Sequence, residues 1–293
     1  MIDQAQKLRE SFASVKQHSE VVPGPSVTAK AAGICRSVAV TSGKGGVGKT
    51  NICLSLGITL SMMKKKVLIL DADLGLANIH ILLGISPGRT LENYVNSECR
   101  LDEVIVEGPA GVHILPGATG IESMATIEPL RLGILTRELS ALEQGYDFMF
   151  IDTGAGIGRV ATAFASMSDT VVLVVTPEPT SLADAYAMVK VLYRKQDMPV
   201  LVLVNMAAND ADGTETFDRL NALVVRFLKR PLRCLGIIPF DKQVGAAVRR
   251  QSAIAIAQPR SAFASRVQRA GRMLCGVSSV KKEGFFSRLL KRK

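Results

Sequence analysis

Gly43-Lys44-Gly45-Gly46-Val47-Gly48-Lys49-Thr50 fits G-x-x-x-x-G-K-[ST], the pattern of a loop that cradles the phosphates of a nucleoside triphosphate. Such a loop turns backbone N–H groups inward onto phosphate oxygens, and only small residues with a permissive φ can follow that path. Gly43, Gly45, Gly46 and Gly48 supply that freedom around Val47. At these positions Lys49 reaches the β- and γ-phosphates, and the Thr50 hydroxyl ligates Mg²⁺. The flanks agree. Ser37-Val38-Ala39-Val40 precedes the loop as a buried strand would, and Ile52, Leu54, Leu56, Ile58 and Leu60 follow it in a helical pattern. The phosphates would then lie at a helix N-terminus, with Asn51 adjoining them.

The same letters satisfy the dinucleotide fingerprint G-x-G-x-x-G, and Asp71 stands 23 residues beyond Gly48, where a ribose-binding acid is expected. Lys49-Thr50 separates the two readings, because a dinucleotide has no terminal phosphate and metal for a cation and a hydroxyl to meet. Further acids follow apolar strands. Val67-Leu68-Ile69-Leu70 ends in Asp71-Ala72-Asp73, and Phe148-Met149-Phe150-Ile151 ends in Asp152, placed as the carboxylate that holds Mg²⁺ directly or through water. A glycine-rich turn, Thr153-Gly154-Ala155-Gly156-Ile157, comes next. Val200-Leu201-Val202-Leu203-Val204 ends in Asn205, whose amide offers a donor and an acceptor together.

Strand-like runs at 67–70, 112–115, 147–151, 170–175, 200–204 and 233–238 alternate with helical patterns. That alternation predicts an α/β fold, a mostly parallel sheet with helices on both faces. With 293 residues, 47% of them hydrophobic, the chain can bury one substantial core. No apolar stretch approaches the ~18 residues of a membrane span, and the charged first twenty residues lack the apolar run of a signal peptide. Five scattered cysteines without a C-x-x-C pair point to reduced thiols and to a cytoplasmic protein.

Lys44 is not required by the general phosphate-loop pattern. Lys-Gly-Gly-Val-Gly-Lys-Thr resembles the deviant phosphate loop of the MinD/ParA superfamily, whose members dimerise face to face around two ATP molecules. The resemblance implies that Lys44 reaches the partner subunit's nucleotide and stabilises charge on the transferred phosphoryl, as an arginine finger does. It further implies that Asp73 positions the attacking water and that Asp71 supports the site and the hydrated metal. Residues 153–157 would respond to the γ-phosphate, and Asn205, with Pro239-Phe240-Asp241, would contact adenine. Lys44, Lys49 and Asp73 are thus the expected catalytic residues, and Thr50, Asp71 and Asp152 the metal-binding ones.

The two ends differ from the rest. Residues 281–293 carry six basic residues and one acid, half of the formal net charge of +10. Phe285, Phe286, Leu289 and Leu290 share one face of a short helix, the pattern of an in-plane anchor on anionic membrane. MinD-like proteins carry such a tail. Bare non-specific DNA would also accept the charge, as in a ParA-type partition ATPase, but gripping phosphates does not require four large apolar residues. Residues 1–18 form an amphipathic pattern, and 19–34, with Pro23-Gly24-Pro25, reads as a linker to an ATPase domain at 35–278 and a tail at 279–293. Asp3-Gln4-Ala5-x-x-Leu8-Arg9 is similar to the N-terminal motif of the FlhG family (also FleN or YlxH), MinD-like ATPases that control flagellar number. In that family the motif engages FlhF, a signal-recognition-particle-type GTPase, and stimulates its hydrolysis. The resemblance therefore implies an ATP-bound homodimer, reversible attachment to the inner face of the cell membrane, and FlhF, flagellar switch or C-ring proteins and a flagellar transcriptional activator as partners. An NAD-dependent oxidoreductase is the alternative that Lys49-Thr50 and Asp152 disfavour. Glu178, in Pro177-Glu178-Pro179-Thr180-Ser181, receives no role.

Overall fold

The computed structural model describes residues 35–73, 79–116, 129–195, 198–277 and 283–291. The expected alternation is realised. Strands β1 (Arg36–Thr41), β2 (Val67–Ala72), β3 (Val106–Glu107), β4 (His113–Leu115), β5 (Phe148–Thr153), β6 (Thr170–Val175), β7 (Val200–Ala207) and β8 (Arg233–Pro239) form one sheet in the order β3-β4-β2-β5-β1-β6-β7-β8. Every pairing is parallel except that of β3 with β4, so crossovers must run over the faces. The α-helices among the described residues are α1 (Lys49–Met62), α2 (Ile79–Leu83), α3 (Leu91–Val95), α4 (Pro129–Gln144), α5 (Arg159–Met167), α6 (Pro179–Lys195), α7 (Asp210–Leu228), α8 (Lys242–Arg249), α9 (Ile254–Ala257), α10 (Ala262–Cys275) and α11 (Phe285–Lys291).

Alternation along the strands splits the core into layers. Val38, Val40, Ile69, Phe148 and Phe150 turn to one face, where Ile52, Leu56 and Leu60 of α1 meet Phe263, Val267 and Leu274 of α10. Leu68, Leu70, Met149 and Ile151 turn to the other, against Leu135, Leu139 and Leu142 of α4 and Phe164 of α5. Ala39, Leu173 and Val202 continue that second layer under α6 and α7. Strands buried on both faces explain why their sequences read as unbroken apolar runs.

The tail departs from the sequence expectation. Phe285 and Phe286, expected on an exposed lipid-facing surface outside the domain, are fully buried, and Leu289 packs partly against the same cluster. The ring of Phe285 lies 6.1 Å from that of Phe164, and Phe286 meets Phe285 edge to face. Polar contacts explain why the helix seats here. The buried Glu143 carboxylate accepts hydrogen bonds from the backbone N–H groups of Phe285 (2.6 Å) and Phe286 (3.1 Å), the otherwise orphaned donors at the start of α11. Arg288 pairs with buried Asp169 at 3.2 Å and donates to Ser37 Oγ at 3.0 Å. The side chain of Leu290 and the motif residues Asp3, Gln4, Leu8 and Arg9 lie outside what the structure describes. Among the described residues, no helix is long and apolar enough to cross a membrane.

Candidate nucleotide and metal site

The phosphate loop joins β1, near the middle of the sheet, to α1, which puts it at the C-terminal edge where an open α/β sheet binds ligands. Two glycines there are sterically obligatory. Gly48, the N-cap of α1, has φ +88°, and a Cβ on it would lie 2.6 Å from Asn205 Nδ2. A Cβ on Gly43 would lie 2.3 Å from the backbone of Asp184 in α6. The loop is therefore pressed between β7 and α6 at these two positions, with no room there for a larger residue.

Lys49 is buried at the head of α1. Desolvation lowers its pKa, against the attraction of Asp152 and Asp73. Asp152 and Asp71 end adjacent strands and are direct partners in the β2–β5 register. Burial pushes Asp152 up to about 7, and Asp71 adds to the shift, while the Thr50 hydroxyl bond and Lys49 oppose it. With Thr50 holding one carboxylate oxygen, Asp152 Oδ1 is buried with no hydrogen-bond partner among the described residues. A hydroxyl, an unsatisfied carboxylate oxygen and a second acid on the next strand suit a hard, oxygen-seeking cation such as Mg²⁺. The expected metal residues Thr50, Asp71 and Asp152 are thus brought together. Asp71 is also structural, since its carboxylate accepts from the backbone N–H groups of Asp73 (3.3 Å) and Ile79 (3.1 Å). Asp73 lines the cavity beside Gly154, in the turn after β5.

The cavity holds about 530 Å³ and is lined by Gly45, Gly46, Gly48, Lys49, Thr50, Asn51, Asp73, Asn205, Pro239 and Asp241. Two of the expected adenine contacts are engaged by the protein itself. Asn205 donates through Nδ2 to Val47 O at 2.8 Å, tying β7 to the loop. Asp241 caps α8 through Gln243 N (2.9 Å) and accepts from Phe263 N (3.2 Å), so it shapes the pocket by fixing α8 and α10. Apolar walls missing from the sequence reading come from Met206, Val244, Val248 and Phe263, beside Phe240. Phe240 sat inside the quoted Pro-Phe-Asp segment, and its 68% exposure at the mouth suits stacking on a base. Lys44 does not face this cavity. Its Nζ pairs with Glu178 and lies 3.2 Å from Thr180 Oγ1 of the same chain.

Fold and site together define a P-loop ATPase of the MinD/ParA class, using ATP and Mg²⁺. Residues 38–254 match the CobQ/CobB/MinD/ParA nucleotide-binding domain family. The chain superposes on the cell-division ATPase MinD of Pyrococcus furiosus with a TM-score of 0.67 at 26% identity, covering 83% of this chain and 99% of that one. MinD of Pyrococcus horikoshii, solved with Mg-ADP, gives 0.65 at 25% identity, covering 82% and 96%. Among relatives, the antiactivator FleN of Pseudomonas aeruginosa is 43% identical over 76% of this chain and 80% of its own length. The flagellum site-determining protein YlxH of Helicobacter pylori is 32% identical over 88% and 91%. The chain belongs to the FlhG/FleN family of MinD/ParA ATPases.

Proposed function

We propose that this ATPase is a nucleotide-timed switch that governs flagellar number and placement by moving between a monomer with a docked tail and an ATP-bound dimer on the membrane. The observation that carries the reading is the position of α5. It begins directly after the turn at 154–158, which is tied to the start of the phosphate loop by Gly156 N donating to Ser42 O, and packs its Phe164 against the docked Phe285. A change at the γ-phosphate that moves this turn would loosen the groove holding α11. Phe285, Phe286 and Leu289, with Leu290, then turn to anionic lipid, and two tails on one dimer gain by avidity.

In the reaction, backbone N–H groups of 45–50 and Lys49 hold the triphosphate, and Asp73 orients the attacking water. Thr50 and Asp152, with Asp71 on the adjacent strand, would hold Mg²⁺, which when bound would supply positive charge to offset that of the triphosphate. Lys44 of each subunit serves the partner's nucleotide, so hydrolysis follows dimerisation. Asn205, Pro239 and Asp241 set the nucleoside end. Asp3, Gln4, Leu8 and Arg9 form the segment that engages an FlhF-type GTPase and stimulates it. Flagellar switch or C-ring proteins and a flagellar transcriptional activator are the further partners.

The test is co-sedimentation with anionic vesicles in ADP or in a slowly hydrolysed ATP analogue, for the full chain and for one ending at Val280. Pelleting that needs both the triphosphate and the tail supports the switch. Absence of pelleting, with ATP-dependent retention of non-specific DNA instead, replaces it with a partition-type ATPase.

A further inference from the structure

Glu178 lies in the stretch between β6 and α6, and the mechanism above does not use it. The turn around it is stiffly held. Ser181 Oγ accepts from Thr176 N at 3.0 Å, Glu178 O accepts from Leu182 N at 3.2 Å, and prolines flank the acid on both sides. One turn further along α6, the backbone of Asp184 presses on Gly43. In the loop, Ser42 Oγ donates to Lys44 O at 2.6 Å. The backbone of Lys44 is thus clamped beside the start of α6, and its side chain runs along that start to Glu178 and Thr180.

We infer that Glu178, assisted by Thr180, is the resting place of Lys44, a positioning residue that keeps within one chain the cation needed at the partner's nucleotide. The inference rests on the dimer reading proposed above. An ammonium held at Glu178 is not available across a dimer seam, so each subunit gives up this pair when the ATP-bound dimer forms. The contact is solvated, with side-chain exposures of 38% for Lys44 and 60% for Glu178. Pairs of that kind shift an equilibrium by at most about fivefold, and two lysines per dimer make that roughly 25-fold. The pair is thus a modest brake that holds down basal turnover without preventing assembly.

The experiment follows ATP turnover per chain against protein concentration for the full-length wild type and Glu178→Gln, with self-association followed by sedimentation in a slowly hydrolysed ATP analogue. The glutamine keeps the shape of the acid and removes its charge. The half-maximal concentration should fall about 2- to 25-fold while the plateau rate stays within twofold, a split that a generally damaged site would not give. Glu178→Asp should restore the wild-type curve. Thr180→Val, which removes the second acceptor and leaves the charge, should shift it less in the same direction. In a Lys44→Ala background, Glu178→Gln should leave self-association in the ATP analogue, followed by sedimentation, unchanged. An unchanged half-point, a lower plateau, or a shift that persists without Lys44 would overturn the inference. Wild-type turnover that is independent of concentration would instead remove the dimer reading on which it rests.

Discussion

Glu143→Ala isolates the docking of the tail from the tail itself, because Glu143 belongs to the groove and not to the helix that would meet lipid. Its carboxylate is 2% exposed and receives two backbone donors of α11, and Gly284 lies so close that a Cβ there would sit 2.9 Å from Glu143 Oε2. Removing the acid leaves the Phe285 and Phe286 N–H groups unsatisfied in an apolar groove. Hydrogen bonds to a charged group contribute about 1.5–3 kcal/mol net. Burial raises the pKa of this acid, which shows that desolvation already offsets part of the gain and favours the lower half of that range. Glu143 lies in the last turn of α4, where alanine is at least as good a helix former as glutamate, so the helix bearing the change is not weakened. The docked state should therefore lose about 1.5–2 kcal/mol, an increase of roughly 10- to 30-fold in the undocked fraction. Hydrogen exchange at α11 amides, read by mass spectrometry in ADP, should accelerate by that factor, and vesicle pelleting in ADP should rise with it. Glu283→Ala, next to the helix but exposed, should do neither. Unchanged exchange in Glu143→Ala would refute the docking energetics.

Gly48→Ala should abolish nucleotide binding, since φ +88° and an Asn205 nitrogen 2.6 Å from the new Cβ both resist it; calorimetric titration with ATP that still gives wild-type affinity would count against the loop geometry. Asp152 titrates near 7 in the fold because it is buried, whereas an unfolded Asp titrates near 3.9, so the folded state binds the extra proton between those values. Stability without nucleotide or metal should therefore fall as pH rises from about 4 to about 7. Asp152→Asn should flatten that slope, and thermal melts that run parallel to wild type would contradict it. Asp73→Asn should retain ATP-dependent self-association while hydrolysis falls by about a hundredfold or more, measured by phosphate release. Deleting residues 1–18 should leave that self-association intact and remove stimulation of the FlhF-type GTPase, and undiminished stimulation would dismiss the N-terminal assignment.

Much of the phosphate end was legible in the sequence because its chemistry is local. One octapeptide carries the loop, and each acid closes its own apolar strand, so spacing alone placed Thr50, Asp71 and Asp152 at one sheet edge. What escaped depends on partners far along the chain. The Lys44–Glu178 pair spans 134 positions, and a loop lysine carries no mark of where it points. Asn205 offers a donor and an acceptor to a base or to Val47 equally well, and only packing chooses. The tail is the instructive case. Phe285, Phe286, Leu289 and Leu290 give the same amphipathic signature whether lipid or protein covers them, and the acids that seat the helix, Glu143 and Asp169, lie in α4 and just before β6.

The placement of α5 has a mechanical consequence. Nine residues of helix form a rod of about 13 Å. At that length a helix does not flex appreciably, so a tilt at Arg159 arrives at Phe164 almost undiminished. Under the proposed switch, sensor and effector share a single lever whose pivot is the glycine turn ahead of it. Substitutions on its outer surface should leave the gearing intact. Inserting one residue would rotate everything beyond it by about 100° and leave two working ends that no longer turn together.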